Sequence, residues 1–237
     1  MSGKLFLIPT YLDDSNDKDF IAPVVKDVVK NTAHYIVENA RTARRYISDL
    51  KLDIDISALH FDILDKRSSP EEMDRIMEPI SRGEDIGLIS EAGLPCLADP
   101  GNLAVAWMQQ RGEKVVPLTG ASSIQMALIA SGFNGQRFTF HGYLPIDKVE
   151  REKKLRELEQ AVEKTGYSQI FMETPFRNNQ LLASMMSNLK HRTLLSIAAG
   201  ISGEKEMIQT KTVERWKKSL PDIHKIPSIF TLGSFPI

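Results

Sequence analysis

The chain has 237 residues, with 30 lysines and arginines against 31 aspartates and glutamates, for a formal net charge of −1. That length holds one large or two modest domains, and the near-neutral balance gives no global positive field to draw the protein onto a polyanion, so any RNA contact has to be local. A single cysteine, Cys96, excludes a disulfide framework and a thiolate metal cage; no apolar run approaches the roughly 18–20 residues of a membrane span, and a soluble, cytoplasmic protein is expected.

Short apolar runs alternate with amphipathic helical stretches from end to end, the mark of parallel α/β architecture. Strands are predicted over residues 4–8, 33–37, 54–59, 86–90 and 114–118, with helices between them. One helix is signposted by Ser69 as cap, Pro70 in the first turn and Glu72 completing a capping box. The run from Leu88 to Gly101 reads as a buried strand, a Gly/Pro loop and a helix start. Gly93 and Pro95 break regular structure at the carboxyl end of that strand, where open α/β sheets hold their ligands. Asp99 is predicted to cap a helix that begins at Pro100, has an apolar stripe of Leu103, Trp107 and Met108, and stops at Gly112; Trp107 and Met108 are assigned to the core. A further helix carries Ile124, Leu128 and Ile129 and stops at Gly132. The boundary is placed around residues 119–122, giving an N-terminal α/β domain of residues 1–119 and a C-terminal α/β domain of residues 120–237.

In the second half, strands are predicted over residues 138–142, 169–173, 194–198, 206–211 and 228–232. The helix from Asp147 to Lys164, capped by Asp147 with Glu150 three residues on, carries a Leu155, Leu158, Val162 stripe on an otherwise charged surface and reads as a solvated cover. The last strands follow each other as closely as hairpins do, so the first sheet is expected to be mainly parallel and the second mixed.

No Walker loop, no G-x-G-x-x-G after a strand, no G-x-S-x-G elbow and no His/Cys metal spacing occurs, which argues against P-loop hydrolysis, hydrolase triads and zinc chemistry, and no metal is expected. What remains is a set of strand-end loops: Ser90-Glu-Ala-Gly-Leu-Pro95, Ala98-Asp-Pro-Gly101, Pro117-Leu-Thr-Gly-Ala-Ser122, Phe140-His-Gly-Tyr-Leu-Pro145 and Met172-Glu-Thr-Pro-Phe-Arg177. In order and spacing they resemble the tetrapyrrole methylase superfamily of S-adenosylmethionine-dependent methyltransferases, most closely the branch that methylates a ribose 2′-hydroxyl in small-subunit ribosomal RNA. There the loops read S-D-A-G-T-P, S-D-P-G, P-L-P-G-P-S, F-x-G-F-L-P and Y-E-S-P-H-R. The chain departs where that family has T-P-I-G-N, with Pro9-Thr10-Tyr11-Leu12, and where it has E-D-T-R, with Glu38-Asn39-Ala40-Arg41. It departs again at A-R-E-L-T-K, which becomes Ala198-Ala199-Gly200-Ile201-Ser202-Gly203.

The resemblance implies two α/β domains with a cofactor trough between them, a homodimer, and S-adenosylmethionine held by Pro9, Ser90, Glu91, Ala92, Gly93, Ser123, Ile124, Met172, Glu173, Ala199, Gly200 and Pro227. Glycines at strand ends suit such a ligand because they let backbone approach it closely. A ribose hydroxyl is a weak nucleophile, and Glu91, Glu173, Glu38 and His141 are the candidates to take its proton. Each motif also has a structural reading. His141 fits a satisfied strand-end histidine, and Cys96 fits a small packing residue with nothing beside it to hold a thiolate. Arg41, Arg44 and Arg45 suit a solvated helix face as well as a contact to ribosomal RNA phosphates on the small subunit. Three functions stay open: an RNA ribose methyltransferase, a methyltransferase of the same superfamily acting on a tetrapyrrole or other small molecule, and a cofactor-binding sensor or assembly partner. The acidic segment of residues 13–19 and the near-neutral charge favour the small-molecule reading, and the altered first loop with Gly200-Ile201-Ser202-Gly203 the sensor.

Overall fold

A computed structural model describes residues 2–13, 21–64 and 69–236, so most of the acidic segment lies outside the described residues. Strands β1 (Leu5–Ile8), β2 (His34–Val37), β3 (His60–Ile63), β4 (Ile86–Ile89) and β5 (Val115–Pro117) form a five-stranded sheet in the order β3-β2-β4-β1-β5. Every pairing in it is parallel. Such a sheet must be covered on both faces, and the alternation along β4 shows how. Ile86 and Leu88 join Leu5, Met73, Ile76, Ile80 and Met108 in one core, while Ile89 joins Ile8, Val25, Tyr35 and Ile47 in the other. The first core lies under α3 (Pro70–Ile76), α4 (Glu78–Ser81) and α5 (Asn102–Gln110), the second under α1 (Pro23–Lys30) and α2 (Ala40–Asp49). Each aliphatic side chain so buried contributes about 2 kcal/mol. Gly87 is required between them, because a Cβ there would meet Ile8 Cδ1 at 2.7 Å and Tyr35 Cε1 at 2.9 Å.

The chain divides into two compact units, Met1–Ser122 and Ser123–Ile237. In the second, β6 (Phe138–Tyr143), β7 (Ser168–Glu173), β8 (Leu194–Ala199), β9 (Met207–Thr212) and β10 (Ser228–Gly233) form a five-stranded sheet in the order β6-β7-β10-β8-β9. Only β6 and β7 pair in parallel, so the sheet is mixed. Phe171, Leu195, Ile197, Phe230 and Leu232 point into one core with residues of α7 (Lys148–Thr165), α8 (Asn178–Asn188) and α9 (Val213–Lys218). Helix α6 (Ser123–Ser131) lies on the opposite face, where Thr210 Oγ1 donates to Ser131 O at 2.8 Å from the other side of the pleat.

Four local expectations are corrected. The strand predicted over residues 54–59 begins later, because Asp55 accepts from Ser57 N at 2.9 Å and winds Ile56–Ala58 into a 3-10 turn, leaving His60 as the partner of His34. Asp99 does not cap α5; the helix starts at Asn102 after Gly101, whose φ of 127° no side-chain cap accompanies. Leu103 and Ile129 face outward at 43% and 79% exposure, and Trp107 is only half-buried, packing against the edge of the core while it donates Nε1–H to Asp74 at 2.6 Å. Helix α7 is more than a solvated cover, since Arg151 and Glu159 are buried in it: Arg151 donates to Ile146 O at 2.7 Å, and Glu159 accepts from Lys190 N at 2.8 Å and from the Thr193 hydroxyl.

Candidate functional site

The carboxyl ends of β1 and β4 are neighbours in the parallel sheet, and the loops that leave them are tied together. Thr10 N donates to Gly93 O at 2.9 Å, Gly93 N to Tyr11 O at 3.3 Å, and Thr10 Oγ1 to Ser90 O at 3.4 Å. From α2, Tyr46 donates its hydroxyl to Pro9 O at 2.8 Å. Burial, with Tyr11 and Tyr35 nearby, raises the Tyr46 pKa, so the phenol keeps the proton it donates. Pro9, Ser90, Glu91, Ala92 and Gly93 are thus brought into one cluster. Ser90 is buried and its Oγ has no partner at hydrogen-bond distance. Glu91 is exposed and accepts from Thr42 Oγ1 through Oε1 at 2.8 Å. Tyr11, Leu12, Asp13, Thr42, Arg45, Glu91 and Ala92 line an open cleft of about 490 Å³.

The loop from Glu91 to Gly101 carries backbone strain. Gly93 and Gly101 have φ of 72° and 127°, and Cys96 and Ala98 both adopt φ of 67°, a left-handed conformation that costs a non-glycine residue about 1–2 kcal/mol. The glycines serve loop packing: a Cβ on Gly93 would meet Leu12 Cδ2 at 3.0 Å, and one on Gly120 would meet Pro9 Cβ at 2.1 Å. At these positions the glycines let one loop pack closely on another. Burial, with Asp99 beside it, pushes the Cys96 thiol up to about 11, which suits a packing residue. Burial also raises Asp99, the Glu91 charge adding to it and the nearby Ser90 hydroxyl opposing it.

The remaining residues of the first unit separate. Glu38, half-buried after β2, lines a different hollow with Leu64, Pro100 and Gly101. Arg41, Arg44 and Arg45 are exposed on α2, but Arg45 alone of them lines the cleft beside Glu91; Arg44 instead lies over the Phe61 ring, 5.0 Å from its centroid.

In the second unit, Ser228 pairs with Glu173 on one side and Ala199 on the other, so Met172, Glu173, Ala199, Gly200 and Pro227 gather at one end of the mixed sheet. Gly200, at φ 59°, donates N–H to Pro227 O at 2.9 Å. Ser123 and Ile124 open α6, with Ile124 buried. The Glu173 carboxylate is committed: Oε1 accepts from Arg177 Nη2 at 2.6 Å, Arg177 Nε at 3.0 Å and Thr174 N at 2.6 Å. His141 is likewise engaged, Nε2 to Gln169 Oε1 at 2.8 Å. Among the described residues no group of three or more His, Cys, Asp or Glu side chains is arranged to hold a metal ion, and no helix is long and apolar enough to cross a membrane.

Sequence reasoning missed Thr42 and Asn178. Asn178 is fully buried and its Nδ2 donates to Ile226 O at 2.6 Å and Ser228 Oγ at 3.2 Å, fixing the loop that ends in Pro227. Its position directly after Glu173-Thr-Pro-Phe-Arg177, at a helix start, was the available signal; nothing in the sequence near Thr42 points to Glu91.

No protein-family model matches the chain. It is 33% identical over 192 residues to ribosomal RNA small subunit methyltransferase I of Bacillus subtilis, covering 81% of this chain and 62% of that one. The protein of the same name from Pseudomonas aeruginosa is 32% identical over 184 residues, covering 78% and 61%. The one from Haemophilus influenzae is 31% identical over 220 residues, covering 93% and 74%. The chain thus spans about three fifths of the length of the first two. Among solved structures, the methyltransferase CobJ superposes with a TM-score of 0.63 at 12% identity, covering 98% of this chain and 95% of that one, a likeness of fold.

Proposed function

Because the chain belongs to the ribosomal RNA small subunit methyltransferase I family of the tetrapyrrole methylases, we propose that it transfers a methyl group from S-adenosylmethionine to a ribose 2′-hydroxyl of ribosomal RNA. The observation that carries this reading is that the identity to the Haemophilus relative extends over 220 residues, enough to include both units. We assign it to the cytoplasm and to a homodimer, with RNA of the small ribosomal subunit as partner.

The residues present fit the cofactor. The buried, partnerless Ser90 hydroxyl is a polar group that a bound nucleoside would satisfy, and the exposed Ala92 leaves backbone open beside it. Pro9, Ser90, Glu91, Ala92 and Gly93 are the proposed contacts in the first unit; Ser123, Ile124, Met172, Glu173, Ala199, Gly200 and Pro227 are those in the second. S-adenosylmethionine, when bound, supplies a methyl group on a sulfonium. Glu91 is the proton acceptor in this reading, since Thr42 fixes its Oε1 and leaves Oε2 to take the proton of the ribose hydroxyl. Glu173 and His141 already hold other partners, and Glu38 lines a different hollow. Arg45, on the same cleft as Glu91, is the arginine placed to meet a phosphate beside the reacting ribose.

The test is methyl transfer from labelled S-adenosylmethionine to small ribosomal subunits taken from cells that lack the protein. Label on a ribose of the small-subunit RNA, transferred less efficiently as salt rises, is the expected result. Label appearing only on small molecules, or cofactor binding without any transfer, would overturn it in favour of the small-molecule or sensor readings.

A further inference from the structure

A net charge of −1 leaves the binding of RNA to local features, and one such feature lies outside the residues assigned so far. We infer that Phe176, flanked by Lys225 and His224, is a stacking platform for an unpaired nucleotide of the RNA substrate. The inference rests on the RNA reading above and deepens it.

Phe176 is 70% exposed, although a phenyl ring ordinarily seeks burial. Lys225 Nζ stands 5.9 Å from its centroid, and the His224 ring meets it edge-on with centroids 6.2 Å apart. An exposed aromatic face beside a cation is what a single-stranded nucleotide needs, a surface for the base and charge for the phosphate.

The platform is rigid on both sides. Phe176 is the middle residue of the 3-10 turn Pro175–Arg177, whose last residue is clamped by the Glu173 carboxylate. The facing segment is bolted to that turn and to the start of α8: Lys225 N donates to Pro175 O at 3.0 Å, Asn178 Nδ2 to Ile226 O at 2.6 Å, and Asn179 Nδ2 to Asp222 Oδ1 at 2.8 Å. Asp222 Oδ1 also accepts from His224 N at 3.1 Å, which fixes the segment that brings the Lys225 cation to the ring. Lys225 adopts φ of 62°, a conformation that its bond to Pro175 helps maintain. Glu173 and Pro227, both proposed cofactor contacts, bound the two segments in sequence. A stacked base there would lie beside the residues proposed to hold the cofactor.

The experiment compares Phe176→Ala, Phe176→Leu and Phe176→Trp in the methylation of small subunits, with S-adenosylmethionine affinity measured by calorimetry. The alanine variant should raise the KM for RNA about five- to a hundred-fold with kcat and cofactor affinity unchanged. Tryptophan should restore it, while leucine, which keeps apolar bulk without a π face, should not. In Phe176→Trp, a short unstructured oligoribonucleotide should quench the added indole fluorescence, and Lys225→Ala should lower the salt slope of that binding by about 0.7. An unchanged KM in the alanine variant, full rescue by leucine, or a shift in sedimentation without a shift in KM would overturn the platform. Should the native protein fail to methylate RNA, the broader reading falls, and the tryptophan titration still decides whether a base stacks here.

Discussion

Glu91 and Glu173 stand at comparable places, each at the end of a strand, and their surroundings are opposite. Glu91 is exposed, touched by one hydroxyl, and borders an open cleft. Glu173 has a side chain only 2% exposed, with one oxygen shared among the Arg177 guanidinium and the Thr174 amide. An accessible carboxylate can exchange a proton with a substrate; one buried under a cation holds a loop in place, because removing either partner strands the other without water. The difference teaches that a motif glutamate is assigned by what already bonds to it.

The sharpest way to break the comparison is Glu91→Gln. It should lower kcat for RNA methylation about a hundred- to ten-thousand-fold while denaturant unfolding shifts by less than about 0.5 kcal/mol. Arg177→Ala should do the reverse in kind, costing about 3–5 kcal/mol of stability by urea titration because the Glu173 charge is left buried and unpaired. Ser90→Ala separates ligand binding from folding: it should weaken S-adenosylmethionine by about fivefold in calorimetry while shifting unliganded stability by less than about 0.5 kcal/mol. The smallest effect concerns Asp99, whose pKa is raised by burial, so that between its unfolded and folded values the native state binds the extra proton. Stability from this group is present in acid and lost as pH rises through the folded pKa. Asp99→Asn should therefore melt higher than the native protein at pH 7, the gain vanishing below the unfolded carboxylate range.

Much of the fold was legible because burial imposes periodicity. The run over residues 86–90 could only be a strand covered on both faces, and Asp147 with Glu150 marks the start of α7, where Asp147 accepts from Glu150 N at 2.9 Å. Local signals failed where two of them competed. Asp99 has the chemistry of a cap, yet Gly101, free to adopt φ of 127°, sets the helix start two residues on. Asp55 likewise turned an apolar run into a 3-10 turn. For the site, the loops themselves were readable, but their bonding was not. That Thr42 reaches Glu91 across 49 positions, and that Asn178 bonds to Ile226 across 48, are contacts between elements, whose partners composition and spacing do not encode.

The position of β10 has a consequence for how the second unit comes into being. It is made after the other four strands of its sheet and is the middle one, inserted between β7 and β8. Until residues 228–233 are available, the β6–β7 pair and the β8–β9 hairpin have no shared partner, and a nascent chain holds two half-sheets with open edges. The first unit is complete by then and can fold during translation, whereas the alignment of Glu173 with Ala199 waits on Ser228, so that half of the proposed binding surface matures only after synthesis has passed it.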